Sequence, residues 1–144
     1  MQDERIVKLL IRRPDATYLV LKRDRPDDFG SLYGLPGGKI DPELGDVRSL
    51  DAWLDHNLNA ILFTESATLT GEDTQYVPGE GQREHALYLY FDKEPNRYIP
   101  PTDEYISHRW VKRDELRLFD PIWQSLVQVA VDFYAPSGDM RPEY

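Results

Sequence analysis

The chain has 144 residues, a formal net charge of −9 and no cysteine, which excludes a disulfide framework and thiolate metal sites. This length suits one domain with a single core, and a hydrophobic share of 40% is too high for a disordered chain. The negative charge disfavours general nucleic-acid binding, although a local cationic pocket could still accept a small phosphorylated ligand.

The first part of the chain predicts a β-hairpin followed by a loop. Residues 5–12 form a largely apolar run, and residues 18–23 form a second one. Turn-forming residues at 14–17 separate the two runs, so we expect two antiparallel strands. A polar loop then leads into residues 31–40, whose proline and glycines no helix would tolerate.

The middle of the chain changes to helical periodicity. From Asp46, which we expect to be the helix N-cap, apolar residues recur at a spacing that places them on one side of a helix. These residues are Val47, Leu50, Leu54, Leu58 and Ile61. We expect a strand near residues 60–69 and a loop over residues 71–82, where turn-forming residues are frequent.

The last part of the chain predicts a central strand, a final strand and a closing helix. Residues 84–91 alternate with apolar side chains on both faces, which is typical of a strand inside a sheet. We expect a last strand at 105–111 and an amphipathic helix at 121–134 with proline in its first turn. A single domain therefore spans residues 1–135, and residues 136–144 form a tail.

No apolar run reaches the roughly 20 residues that cross a bilayer. The N-terminal residues also lack the basic and apolar regions of a secretory signal. We therefore expect a cytoplasmic protein that does not contact membranes.

The order of strand, strand, loop and amphipathic helix, with the sequence Leu-Pro-Gly-Gly-Lys-Ile-Asp at 35–41, resembles the Nudix hydrolase family over about residues 5–133. Residues 107–116 are similar to a segment that often closes the family's sheet. The resemblance implies an α/β fold, specifically a Nudix-type α/β/α sandwich with a mixed β-sheet. It also implies glutamates on one helix face that hold Mg²⁺ or Mn²⁺ against a diphosphate, so that the cations polarise it and activate water.

The family's glutamate positions carry other residues in this chain. With Gly38 as the opening glycine, the first glutamate falls on Leu44, the Arg-Glu pair on Ala52 and Trp53, and the Glu-Glu pair on His56 and Asn57. An imidazole and an amide are poor ligands for a hard cation that prefers oxygen anions. Trp53 is bulky at the main ligand position. We therefore expect no metal site and no cofactor.

Other carboxylates are the possible surrogates. Placing the pattern one residue earlier puts Glu43 at the first glutamate, but it recovers neither the Arg-Glu pair nor the Glu-Glu pair. Glu104 lies in a loop where some family members carry an extra carboxylate base. Asp51 and Asp55 project to the opposite side of the helix. Asp46 has a suitable direction but lies two turns away, about 10 Å along the axis.

The residues that could still meet a ligand are Gly37 and Gly38 of the turn, with Arg23 and Lys39 as flanking cations. Our hypothesis is a Nudix-fold pseudoenzyme that binds a nucleotide-like small molecule, a protein partner, or both. Two alternatives stay open. One is a divergent hydrolase of nucleoside diphosphates linked to another group, which uses Glu43 or Glu104 with Mg or Mn. The other is a purely structural or interaction domain, for instance a homodimer.

Overall fold

The computed structural model describes residues 4–23, 25, 33–58, 66–77, 81–92, 105–118 and 121–134. Glu104 lies outside this described part. The strands are β1 (Glu4–Arg12), β2 (Tyr18–Arg23), β3 (Tyr33–Gly34), β4 (Gly37–Lys39), β5 (Thr68–Val77), β6 (Gly81–Phe91) and β7 (Tyr105–Val111). The α-helices are α1 (Asp46–Leu58) and α2 (Pro121–Val129). A 3-10 helix spans Arg113–Leu118, and a π-helical turn, Ala130–Tyr134, extends α2.

The strands form one mixed sheet with β1 at its centre. The path runs β3-β2-β1-β6-β5, with β4 paired to β1 and β7 paired to β2. Strands β1 and β6 are parallel, whereas the other pairs are antiparallel. The predicted antiparallel pairing of the first two strands is confirmed, and so is the internal position of residues 84–91.

Helices cover both faces of the sheet, because the central strands are apolar on both sides. On one face, Val7 and Leu9 of β1 pack with Leu50 and Leu54 of α1. On the other face, Leu10 packs with side chains of α2, which are Trp123, Leu126 and Val127. This arrangement confirms the α/β/α sandwich. Among the described residues, no helix is long and apolar enough to cross a membrane.

Helix α1 begins where the sequence predicted, but its cap differs by one residue. The first helical hydrogen bond runs from the Ser49 amide to the Gly45 carbonyl at 3.0 Å, so Gly45 is the N-cap. The expectation that Asp46 is the cap was wrong. Asp46 is the first residue of the helix, and its carboxylate binds groups on the sheet. Of the predicted apolar residues, Leu50 and Leu54 are fully buried.

The prediction of a loop over residues 71–82 was wrong, because residues 71–77 belong to β5 and residues 81–82 to β6. Residues 60–65 of the strand expected near 60–69 lie outside the described part, and strand β5 runs from Thr68 through Val77. It pairs with β6 from Thr68 opposite Leu89 to Val77 opposite Gly81. In the described sheet β5 lies at the end of the strand path, so it can carry polar side chains that suggested a loop.

The predicted last strand and closing helix are confirmed. Strand β7 has the bounds expected from the sequence. The closing helix begins at Pro121, and its last five residues form the π-helical turn.

Candidate functional site

The glycine turn lies against the central strand and has a backbone that only glycine can adopt. In the β1–β4 pairing, Gly38 is opposite Val7 and Gly37 is opposite Lys8. Gly37 has φ +129°, and a Cβ added there would lie 2.2 Å from the Val7 carbonyl oxygen. The turn therefore needs glycine at this position in order to approach β1 closely.

Lys8 fixes the turn from the neighbouring strand. Its ammonium nitrogen lies 3.2 Å from each of the Leu35 and Gly37 carbonyl oxygens, to which it donates. The Leu9 amide also donates to the Pro36 carbonyl at 2.8 Å. The carbonyls of Leu35, Pro36 and Gly37 thus all accept hydrogen bonds from β1.

The indole of Trp53 covers the second glycine. A Cβ added to Gly38 would lie 3.1 Å from Trp53 Nε1 and 3.2 Å from Trp53 Cδ1. Trp53 is partly buried and packs against the core beneath α1. The structure therefore brings together Gly38 and Trp53, which we predicted to match the opening glycine and the main metal-ligand position of the family pattern.

The other residues predicted at the arginine and glutamate positions of the family pattern offer no anionic oxygen. The Asn57 side-chain nitrogen donates to the Trp53 carbonyl oxygen at 3.0 Å, one helical turn back. Ala52 and His56 are exposed, and Leu44 is 42% exposed in the segment before α1. The side chains at these positions are an alkyl chain, a methyl group, an indole, an imidazole and an amide.

These residues do not fit the Mg²⁺ or Mn²⁺ ions that the fold family implies. Hard divalent cations prefer carboxylate, carbonyl and water oxygens, and none of these side chains is a carboxylate. Across the described ranges, no group of three or more His, Cys, Asp or Glu side chains could hold a metal ion.

The nearby surrogate carboxylates have other surroundings. Glu43 is exposed, and its backbone amide donates to Asp41 Oδ1 at 2.9 Å, so the Asp41 carboxylate stabilises the turn before α1. Asp55 is exposed and Asp51 is partly buried. By helix geometry both project from the side of α1 opposite Trp53. Glu104 cannot be placed relative to them, since it lies outside the described residues.

The two cations predicted to flank the cleft, by which we mean the surface between the glycine turn and the facing side of α1, already have partners. Arg23 donates to the Tyr33 carbonyl at 2.9 Å, and its guanidinium lies over Gly34. Lys39 forms an ion pair with Glu4 at 2.8 Å. Lys39 is opposite Ile6, which packs into the core beneath α2, so Lys39 lies on the other sheet face from Gly38.

A polar network beside α1 was not predicted from the sequence. Arg5 Nε and Nη2 donate to the two Asp46 oxygens at 2.9 and 2.6 Å, and Arg5 Nη1 donates to Glu72 Oε2 at 2.7 Å. The Tyr88 hydroxyl donates to Asp46 Oδ2 at 2.7 Å, and Glu84 lies 3.8 Å from Arg5. We call these five residues the Arg5 network. It ties the start of α1 to β1, β5 and β6.

The Arg5 network shifts the ionisation of its members. Hydrogen bonds from Arg5 hold the pKa of the Asp46 carboxyl below its ordinary value, against the opposing effect of burial. Burial, together with the bond to Asp46, raises the pKa of Tyr88 to about 12. Asp46 is therefore an anion and Tyr88 a neutral donor at neutral pH. The alternation of side chains along β1 could have predicted that Arg5 lies on the α1 face together with Val7. It could not have predicted which residues bind Arg5.

Comparisons with known proteins agree with this fold. No family model matches the chain. The nucleoside triphosphatase NudI of Salmonella newport (strain SL254) is 31% identical over 127 residues, which cover 83% of this chain and 89% of that protein. The solution structure of the E. coli ORF135 protein has a TM-score of 0.73 at 17% identity, covering 95% of this chain and 96% of that one. A MutT NUDIX hydrolase from Burkholderia pseudomallei has a TM-score of 0.68 at 22% identity, covering 90% and 98%.

Proposed function

Because the chain belongs to the Nudix hydrolase superfamily, we propose that its cleft binds a nucleotide-like small molecule without hydrolysing it through bound metal ions. The observation that carries this proposal is the Trp53 indole packed on Gly38. An indole at this place is a neutral, bulky contact surface where relatives gather carboxylates around a cation. The turn that would approach the ligand keeps the family's glycines.

The chemistry of the cleft favours binding over catalysis. Metal-dependent hydrolysis of a diphosphate needs cations to polarise the phosphoryl oxygen and to activate water. Trp53, His56 and Asn57 supply neither the charge nor the hard oxygen ligands that hold such cations. The name of the NudI relative, a nucleoside triphosphatase, supports a nucleoside-containing ligand.

A turnover and stability assay tests the proposal. Purified protein is incubated with nucleoside triphosphates, ADP-ribose and dinucleoside polyphosphates, each with Mg²⁺ or Mn²⁺. We expect no product above that of a protein-free control. We also expect at least one nucleoside-containing compound to raise the melting temperature in EDTA, because binding to the native state stabilises it. Metal-dependent turnover would contradict the proposal.

A gain-of-function variant tests whether the absence of carboxylates beside Gly38 is the reason that no metal ion binds there. Trp53→Glu combined with Asn57→Glu restores two carboxylates on the helix side near Gly38 and adds two negative charges. Arg48→Glu adds the same charge at an exposed position and is the matched control. We expect Mn²⁺ to bind the double variant in a calorimetric titration and not to bind the control. Equal Mn²⁺ binding by the unaltered protein would mean that the chain already has a metal site.

A second candidate is a divergent hydrolase, which the 31% identity to a nucleoside triphosphatase favours. It would use Glu43 or Glu104 with Mg or Mn in place of the helix glutamates. This candidate predicts turnover that Glu43→Gln or Glu104→Gln abolishes and that Asp55→Asn leaves unchanged. If no nucleotide raises the melting temperature and no turnover occurs, an interaction domain or homodimer becomes the favoured function.

A further inference from the structure

The closing helix packs on the sheet over a buried histidine. His85 of β6 lies against Trp123 in the first turn of α2, with the two ring centroids 4.9 Å apart and the ring planes at 81°. His85 is 3% exposed and Trp123 is 5% exposed, so the contact excludes solvent. We propose that this contact makes the attachment of α2 to the sheet sensitive to pH, because α2 packs here only against the neutral imidazole. The proposal is independent of any ligand at the glycine turn.

The surroundings of the imidazole are suited to a neutral ring. Within the described part of the chain, the Nδ1 atom of His85 is buried and has no hydrogen-bond partner. Ile6, opposite His85 on β1, packs into the core beneath α2, and α2 itself contains no charged residue. A proton on His85 would therefore place a charge among apolar and aromatic groups, which is far less favourable than burying the neutral ring.

The carboxylate opposite His85 on β5 is already engaged. Asp73 pairs with His85 in the β5–β6 register, so the two side chains project to the same sheet face. Asp73 Oδ1 accepts a hydrogen bond from the Thr74 amide at 2.8 Å, and Oδ2 accepts one from the Gln75 side-chain nitrogen. Asp73 therefore favours a charged imidazole through its electric field and not through a hydrogen bond to Nδ1.

Positive charges on the same sheet face oppose this attraction. Arg83 lies two residues before His85 on β6, and Lys8 lies on β1. Glu4, also on this face, is shared by Arg83 at 3.2 Å and Lys39 at 2.8 Å. Burial, followed by the charge of Arg83, lowers the pKa of His85 to about 4, against the attraction of the β5 carboxylate.

The lowered pKa sets the direction of the pH effect. Above the ordinary histidine pKa of 6.5, the ring is neutral in both the folded and the unfolded chain, so it adds no pH dependence. Between that pH and about 4, the unfolded chain takes up a proton that the folded protein does not, and stability falls as the pH falls. The ratio of folded to unfolded protein should decrease roughly thirtyfold from pH 7.5 to pH 5 through His85 alone.

Urea unfolding at pH 7.5 and pH 5 tests this expectation with matched variants. His85→Gln keeps an uncharged polar side chain but cannot titrate, so it should lose the thirtyfold decrease. His56→Gln makes the same change at an exposed position of α1 and should retain it. Asp46 does not interfere, because its lowered pKa keeps it ionised over this range. A decrease of equal size in His85→Gln and in the unaltered protein would overturn the proposal.

An NMR titration of the unaltered protein gives a test that does not require a variant to fold. The ring of His85 should remain unprotonated in the folded protein at pH 5, and protonation near pH 6.5 would overturn the proposal. Arg83→Gln removes a repelling cation and should raise the pKa of His85, whereas Asp73→Asn removes the attracting carboxylate and should lower it further. Opposite shifts would contradict the electrostatic cause.

Hydrogen exchange locates the effect in the structure. The protection of α2 backbone amides, corrected for the intrinsic exchange rate at each pH, should fall between pH 7.5 and pH 5 in the unaltered protein. It should fall much less in His85→Gln. Equal losses of α2 protection in the two proteins would overturn the proposal, because α2 would then respond to another titrating group.

Discussion

The glycine turn and the facing side of α1 differ in how well they match the family pattern. The turn keeps the residues of the family pattern, whereas the helix has none of the glutamates that the pattern places opposite them. The difference follows from what each region does. Gly37 is required for the backbone to pass β1, so its loss would damage folding. No contact in the described structure requires a glutamate on the side of α1 that faces the turn.

This contrast separates the residues that build the fold from those on which metal-dependent hydrolysis would depend. The core beneath α1 contains Leu50 and Leu54, which are fully buried. Trp53 even adds apolar contact to that core. Fold membership alone therefore does not establish activity.

Gly37→Ala should have the largest effect, since it tests whether the turn is kept for folding. The new Cβ would lie 2.2 Å from the Val7 oxygen, at φ +129°. We expect a loss of roughly 3–5 kcal/mol in the free energy of unfolding, measured by urea denaturation. Gly45→Ala is the control, because Gly45 also has positive φ, +84°, but no atom lies within 4 Å of its added Cβ. It should cost only about 1 kcal/mol. Equal losses would mean that backbone strain, not the close approach to β1, sets the cost.

Arg5→Met should have the next largest effect, since it leaves Asp46 partly buried without its cation. The two side chains are 21% and 15% exposed, so solvent screens the interaction only in part. We expect a loss of about 2–3 kcal/mol in unfolding free energy. Arg109→Met is the matched control, because its pair with Glu115 is 49% and 44% exposed. The control should change stability by less than about 0.5 kcal/mol. A small effect of Arg5→Met would show that the Arg5 network does not anchor α1.

The pH dependence of stability sharpens the same comparison. The pKa of Asp46 is lowered in the folded protein by the Arg5 hydrogen bonds. The contribution of Asp46 to the free energy of unfolding is therefore fully present above its pKa in the unfolded chain, about 3.9. It is lost as the pH falls through the lower pKa of the folded protein. We expect Asp46→Asn to be less sensitive than the unaltered protein to acidification from pH 6 to pH 3, in urea unfolding experiments. Asp55→Asn serves as the exposed control. Identical pH profiles for all three proteins would contradict the role given to Asp46.

The fold was largely predictable because the central elements carry strong patterns. β1, β2 and β6 are apolar on buried faces, and α1 has apolar residues at helical spacing. The prediction from the sequence was wrong at β5. Gly71, Glu72 and Asp73 are residue types typical of turns, but here they pair with β6. An edge strand is stabilised by cross-strand hydrogen bonds and can do without apolar alternation, so periodicity does not detect it.

The site was predictable only where residues are close in the chain. The spacing from Gly38 to Trp53 follows a known pattern, and the structure places the two in contact. The Arg5 network joins residues 41 and 67 positions apart in the chain, which only the sheet topology brings together. Likewise, Lys39 looked like a neighbour of the cleft, but strand pairing places it on the opposite sheet face.

Asn57→Asp should have the smallest effect and tests whether one carboxylate can restore the helix half of the site. The Asn57 nitrogen donates to the Trp53 carbonyl at 3.0 Å, and aspartate cannot replace this bond at neutral pH. Its charge would also lie in the last turn of α1, where the helix dipole disfavours an anion. We expect a loss of about 1 kcal/mol, and no rise in melting temperature with Mn²⁺, because Trp53 still covers Gly38. Clear Mn²⁺ stabilisation of this single variant would show that the indole does not exclude the cation, and that the deficit lies in charge alone.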